Sequence, residues 1–375
     1  MKVTRIESFL VPPRWCFVRV ESDDEWVGWG EAIIPKRARA VQGAIEDLAQ
    51  NLVLGSDPDR IEDIILRMRG GGFFRRGPIL ATAMAGIEQA LWDMKGKRYG
   101  LPIWQFLGGR VRESVEAYAG VGGDTVPSLL ENAHTRLAEG FRAVKLAPPQ
   151  SLHYLELPSG SNLFVDQVAA LRHAWPSLGI AVDFHGRIHR ALARHLAHAL
   201  APYDLLWIEE GLLPEHDDLH PSVFAGIPVT LATGERLVDR WAFKSLIPGQ
   251  RVDIWQPDVS ITGLFELEKI ARMAEAYDIT VAPHCPNGPL ALAATLQVDA
   301  VVSNVVWQEY NPGIHQYAAY LHHPEVLAPR NGSLYASPEP GLGVTVNETA
   351  VRAAAGPPLA KDPDWRHDDG TYAEW

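Results

Sequence analysis

The sequence predicts an α/β fold, a (β/α)8 TIM-type barrel with an N-terminal α+β capping domain, and three observations carry that prediction. β-rich runs come first, and helical patterns follow them in a block of their own to about residue 112. Beyond it, eight short β-branched runs alternate with helical patterns. Acidic and histidine residues then recur at the ends of those runs with the period of a βα unit.

In the opening block, 1–112, VTRIESFLV and CFVRVES are strand candidates. Asp23 and Asp24 supply turn chemistry before a third strand, WVGWGEA. ARAVQGAIEDLAQNL spaces its apolar residues helically, and PDRIEDIILRMR begins with a proline-tagged first turn. AMAGIEQALWDMKGKRYG stops at Gly100, ahead of Pro102.

The barrel is expected over 113–324, with SVEAYAG, FRAVKLA, GIAVDFHG, DLLWIEEG, PVTLATGE, VDIWQPD, ITVAPHC and VSNVVWQE as its strands. From Asp183 to Glu209 is 26 positions, then 26 to Glu235, 23 to Asp258, 26 to His284 and 25 to Glu309. Each landmark closes its apolar run, at the end that opens onto the active-site face of such a barrel. No residue pattern recurs from unit to unit, so the repetition is one of spacing. Residues 325–375 are rich in Gly, Pro and Asp and are expected to return over the first domain as a tail.

Composition bounds the function. A chain of 375 residues with 47% hydrophobic and 21% charged residues can bury a large core. A net charge of −12 argues against nucleic-acid binding, which needs a basic face, and against an anionic membrane surface. An anionic small-molecule substrate would need a metal or local cations inside the site. Cys16 and Cys285 follow neither a zinc spacing nor a disulfide framework, which fits a reducing compartment. Pro12 and Pro13 interrupt the apolar start, and no stretch approaches the roughly 18 apolar residues of a membrane span, so a cytoplasmic protein is expected.

Asp183, Glu209 and Glu235, on three successive strand ends, form a carboxylate cluster suited to Mg²⁺, a hard ion that takes oxygen ligands. Solvated loop acids are the bland alternative. Glu210 competes with Glu209, but strand alternation admits one of the two, and the 26-residue step selects Glu209. His185, two residues after Asp183, would share its face of an extended strand, unless it is a loop histidine satisfied by backbone. His284 stands four units of eight away, so the two imidazoles would face each other as acid and base. Asp258, one unit before His284, would fix that imidazole's tautomer or serve as a turn residue after Pro257. Glu309 would hydrogen-bond a developing enolate oxygen if protonated, or be a surface turn acid. Lys145 would bring positive charge to the mouth or snorkel to water. These parts suit proton abstraction beside a carboxylate, followed by loss of a β-hydroxyl that needs an acid.

On WVGWGE, RRGPILATAMAGIEQALWDMKGK, YAGVGGD, AVDFHGR, WIEE, TGERL, WQPDVS, AEAYDITVAPHCPNGP and WQEYNPGIH, nearly the whole chain resembles the enolase superfamily, mandelate racemase subgroup. DFHGR with APHCP is the specific pair. The resemblance implies a Mg²⁺-dependent acid-sugar dehydratase acting on an aldonate, galactonate or a close relative, to give a 2-keto-3-deoxy acid. It implies Asp183, Glu209 and Glu235 as metal ligands, His185 as donor to the departing 3-hydroxyl and His284 as base at C2. Asp258 would raise the basicity of His284, and Glu309 would stabilise the transition state. The first domain would close the barrel mouth, and a homo-oligomer is expected. Gly211, the ITGLFE continuation of PDVS, and Asn287 in place of an apolar residue depart from the subgroup pattern, and the HYLELPSGSNLF segment between Lys145 and Asp183 is another place where pocket loops would differ. Ala147 excludes a lysine pair on the second strand and leaves the work to histidines. Racemisation or epimerisation at C2, a non-catalytic sugar-acid binding protein and a metal-independent barrel enzyme are the competing readings.

Overall fold

Three antiparallel strands open the chain, β1 (Val3–Val11), β2 (Trp15–Ser22) and β3 (Val27–Glu31), paired in the order β1-β2-β3. They belong to a computed structural model that describes all residues except 149–151, 157, 250–251, 314–318, 357–363, 368 and 374–375. Parts of the expected tail and the end of WQEYNPGIH lie outside the described residues. β2 is buried along most of its length because both its faces are covered. Tyr320 packs edge-on against Trp15 and Phe17 on one face, and Val18 on the other meets the helices.

Those helices are α1 (Ala38–Leu48), α2 (Ile61–Gly70) and α3 (Pro78–Tyr99). Pro78 starts α3 and Gly100, at φ 66°, ends it in the left-handed conformation that glycine adopts without strain. α3 is buried on nearly every side because it lies between the first sheet and the barrel. The two glycines of WVGWGE allow the contact: a Cβ at Gly28 would overlap the Ala90 carbonyl, and one at Gly30 that of Gly86. Polar groups on α3 tie the layers together. Gln89 donates to the carbonyls of Glu31 and Val259, both at 3.0 Å, and Asp93 accepts the N–H groups of Trp29 and Leu342, both at 2.9 Å.

After a one-turn helix, α4 (Ile103–Phe106), eight parallel strands follow. They are β4 (Val115–Gly120), β5 (Ala143–Leu146), β6 (Gly179–Asp183), β7 (Trp207–Glu209), β8 (Leu231–Thr233), β9 (Ile254–Trp255), β10 (Thr280–Val281) and β11 (Gln308–Tyr310). They pair in chain order, β11 returns to β4, and the bridge Val281↔Val305 closes the ring beside β10. This is the barrel the sequence predicts, with the three-stranded antiparallel sheet as the separate cap. The outer helices are α5 (Val126–Ala138), α6 (Pro158–Ala174), α7 (Arg190–Leu200), α8 (His220–Val223), α9 (Arg240–Phe243), α10 (Val259–Thr262), α11 (Leu264–Glu275) and α12 (Pro289–Asp299). α8 and α9 are single turns, so the barrel wall is thinnest after its fourth and fifth strands.

Inside the ring, Tyr118, Ala143, Ala181, Trp207, Ala232, Ile254 and Ala282 form one buried layer, with Trp307 packed against it. Tyr118 and Trp207 meet edge to face at 5.1 Å, and alanines opposite them leave room for the two large rings. This layer is the floor of the site. On alternating backbone, the next inward position lies two residues farther along each strand.

The last segment returns across the molecule. β12 (Ser333–Leu334) pairs antiparallel with β4, and α13 (Glu348–Ala354) packs on β1, where Arg352 and Arg19 bind Glu7 and Glu348. No helix among the described residues is long and apolar enough to cross a membrane.

Candidate active site

The next inward positions after Ala143, Ala181, Trp207, Ile254, Ala282 and Trp307 are Lys145, Asp183, Glu209, Gln256, His284 and Glu309. One alternation of the strand therefore lifts a ring of functional side chains above the apolar floor. Glu235 reaches the ring differently. Gly234, at φ 139°, turns the chain after β8, and a side chain there would press on Phe243.

Asp183, Glu209 and Glu235 are buried and offer ligand oxygens that all lie within 4.8 Å of one another. Burial and the neighbouring carboxylates push Glu209 up to about 8 despite Lys145, and burial raises Glu235. Asp183 is held well below the usual carboxylate range: burial works against its charge, but Lys145 and His185 outweigh it. Lys145 Nζ lies 2.6 Å from Glu209, 2.9 Å from Glu309 and 3.5 Å from Asp183, so the lysine is buried as an ion-pair centre and does not snorkel. Burial disfavours its charge, yet Glu209 and Glu309 hold it protonated. The negative charge left over on crowded, all-oxygen donors is what a hard divalent cation neutralises, so the residues present fit Mg²⁺.

Glu209 and Glu210 part company as alternation requires. Glu209 enters the ring, where Trp207 Nε1 and Gln256 Nε2 donate to it at 3.0 and 2.9 Å. Glu210 turns away, accepting Thr233 Oγ1 at 2.7 Å and Gly234 N–H at 3.0 Å and pairing with Arg236. Trp207 and Gln256 each stand two residues before a residue singled out by spacing, and that interval was the available signal for them.

His185 shares the pocket with Asp183, but not by strand alternation. β6 ends at Asp183, and His185 adopts φ 56° in a turn closed by its N–H on Asp183 Oδ1 at 2.7 Å. Its Nδ1 stands 3.5 Å from Asp183 Oδ2. Across the ring, His284 Nδ1 donates to Asp258 Oδ2 at 2.7 Å, which leaves Nε2 pointing at Glu235, 3.4 Å away, and Glu309, 4.0 Å away. Burial opposes the charged imidazole, but Glu235, Glu309 and Asp258 push His284 up to about 10. Asp258 accepts on both oxygens, since its Oδ1 also caps α10 through Ser260 N–H at 2.7 Å. Glu309 accepts Lys145 and, at 2.8 Å, the Cys285 N–H. Burial would raise it, but Lys145 and His284 keep its carboxyl below the usual range, so it stands as an acceptor in this arrangement.

A barrel mouth with a buried carboxylate triad, an ion-paired lysine and a histidine–aspartate pair, beside a separate α+β cap, defines an enzyme of the enolase superfamily. Residues 12–108 match the mandelate racemase / muconate lactonizing enzyme N-terminal domain, and residues 128–350 match the enolase C-terminal domain-like family. The chain belongs to the mandelate racemase and muconate lactonizing enzyme family. It is 42% identical over its whole length to the whole of D-galactonate dehydratase from Variovorax paradoxus (strain S110). An enolase from Agrobacterium radiobacter, solved with sodium and L-malate, is similar over all of both chains, with 30% identity and a TM-score of 0.89. A mandelate racemase/muconate lactonizing enzyme from Jannaschia sp. CCS1 is similar over 96% of this chain and 99% of its own, with 29% identity and a TM-score of 0.87.

Proposed function

We propose that this enzyme is a Mg²⁺-dependent acid-sugar dehydratase that removes the C2 proton and the 3-hydroxyl of an aldonate, galactonate or a close relative. The observation that carries the reading is the His284–Asp258 pair, 2.7 Å apart, standing across the ring from His185 with the carboxylate triad between. Full-length identity of 42% to a D-galactonate dehydratase supports the substrate class.

Asp183, Glu209 and Glu235 would hold the cation, which when bound stabilises negative charge on a substrate carboxylate as the adjacent carbon loses its proton. In this reading His284 takes the C2 proton on Nε2, because Asp258 occupies Nδ1 and fixes the tautomer, and Nε2 would be free to do so once a cation offset the Glu235 charge that raises the imidazole. His185, in the turn that follows β6, gives its proton to the 3-hydroxyl so that water leaves. Lys145 and Glu309, paired at 2.9 Å, steady the carboxylate end of the substrate. The resulting enol tautomerises to a 2-keto-3-deoxy acid. We take residues 1–112 as the cap that shapes the pocket, 113–324 as the catalytic barrel and 325–375 as a tail joining them. A cytoplasmic homo-oligomer is part of the proposal, and the two free, buried cysteines accord with a reducing compartment.

The test is a screen of aldonates and aldarates with Mg²⁺, run in deuterated water with detection of keto acids. A keto acid from galactonate or a close relative is the expected result. A deuterated C2 epimer without keto acid would overturn it in favour of epimerisation.

A further inference from the structure

We infer that Asn287 is a positioning residue for the His284–Asp258 pair, donating to the same oxygen of the Asp258 carboxylate that accepts the imidazole. The side-chain amide of Asn287 is buried and donates from Nδ2 to Asp258 Oδ2 at 2.8 Å and to Ser260 Oγ at 3.2 Å. A carboxylate has no hydrogen to give, so the amide must turn its NH2 group towards it. Asp258 is thus held by three donors: Ser260 N–H on Oδ1 at 2.7 Å, and His284 Nδ1 and Asn287 Nδ2 together on Oδ2 at 2.7 and 2.8 Å.

Two consequences follow from the shared oxygen. The carboxylate cannot rotate about its Cβ–Cγ bond without breaking a bond to Asn287 or Ser260, so the oxygen that accepts His284 Nδ1 is held in place. Two donors on one oxygen also divide its acceptor strength, so the Asn287 bond weakens the one from His284. The asparagine stands where the resemblance leads to an apolar residue, which could offer neither effect. The role rests on the proposed reading of His284 as the base, and it adds a residue that neither the spacing of strand ends nor the carboxylate count selects.

Asn287→Leu and Asn287→Ala test it, the second guarding against a Leu that does not fit. In substrate-free protein with ¹⁵N-labelled histidine, the Nδ1 proton of His284, assigned by its loss in His284→Gln, should move downfield in both variants. In turnover, kcat should fall about threefold or more with KM within about twofold, the pattern of a lost orienting contact. An unmoved proton resonance, or a loss confined to KM, overturns the role. The resonance needs no reaction. A downfield shift in a protein whose parent makes no keto acid therefore supports the positioning role while rejecting the dehydratase reading.

Discussion

Glu31, the last residue of the cap sheet, accepts the backbone N–H of Gly288 at 2.6 Å, and its second oxygen accepts that of Ala291 at 3.0 Å. Those groups have no partner within the helix, lying at the start of α12 just past the loop that carries His284 and Asn287. Glu88 does the same for α11, accepting Phe265 N–H at 2.8 Å. The cap is therefore fastened to the barrel by two buried carboxylates set on helix N-termini, where the helix dipole favours negative charge.

Glu31→Ala should destabilise the protein by about 2–3 kcal/mol, since it strands two buried N–H donors and a cavity beside them. A lower urea midpoint at unchanged slope would show it. An unshifted midpoint would mean that water replaces the carboxylate at no cost.

The same residue sets a pH dependence. Burial pushes Glu31 up to about 7, although the N–H groups of Ala291 and Gly288 favour its charge. Its folded value lies above the unfolded one of about 4.3, so its contribution is fully present below that pH and is lost as pH rises through about 7. Relative to Glu31→Gln, the parent should lose stability between pH 5 and about 8, measured as denaturation midpoints of the two proteins along the series. Parallel midpoints would remove Glu31 from the effect.

Lys145 and a divalent cation answer the same excess of carboxylate charge. Mg²⁺ should raise the melting temperature saturably and a chelator should reverse it, because a ligand of the folded state alone stabilises by mass action. Lys145→Met should lower the melting temperature more without Mg²⁺ than with it, as Glu209 and Glu309 then lose their nearest cation. Equal losses under both conditions would separate the lysine from the metal site.

Asp258→Asn should lower kcat by about 10² to 10⁴ with little change in KM, since an amide no longer dictates the Nδ1–H tautomer. His284→Asn should abolish turnover while Mg²⁺ binding, followed by calorimetry, persists. Turnover retained by His284→Asn would move the base elsewhere.

What could be read from the sequence, and what could not, follows from range. Strands and long helices carry their own periodicity, so β1 and the helix ending at Gly100 were legible from local pattern, as was the barrel from the recurrence of strand-end residues. His185 reached the pocket by a route that alternation does not contain: a left-handed φ and a bond back to Asp183. The function of Lys145 as an ion-pair centre depended on Glu209 and Glu309, which lie far away in sequence on other strands. Asn287 was visible as a departure, but its partner Asp258 lies across a strand boundary. Contacts of that kind have no period.

Adjacent acids at the end of β7 give the sharpest test of the site. Glu209 contributes to the triad, whereas Glu210 supports Gly234 N–H, the residue before Glu235, and binds Arg236. Glu210→Gln disturbs the backbone that aims Glu235 and should cost Mg²⁺ affinity about tenfold, the usual scale for a supporting contact. Glu209→Gln removes a carboxylate from the triad and leaves Lys145 facing an amide, so its loss should be larger still. Calorimetric titration of both variants reads the order directly. If Glu210→Gln suffered the greater loss, β7 would present its other face to the metal, and the interval of two residues from Trp207 would no longer explain which acid points inward.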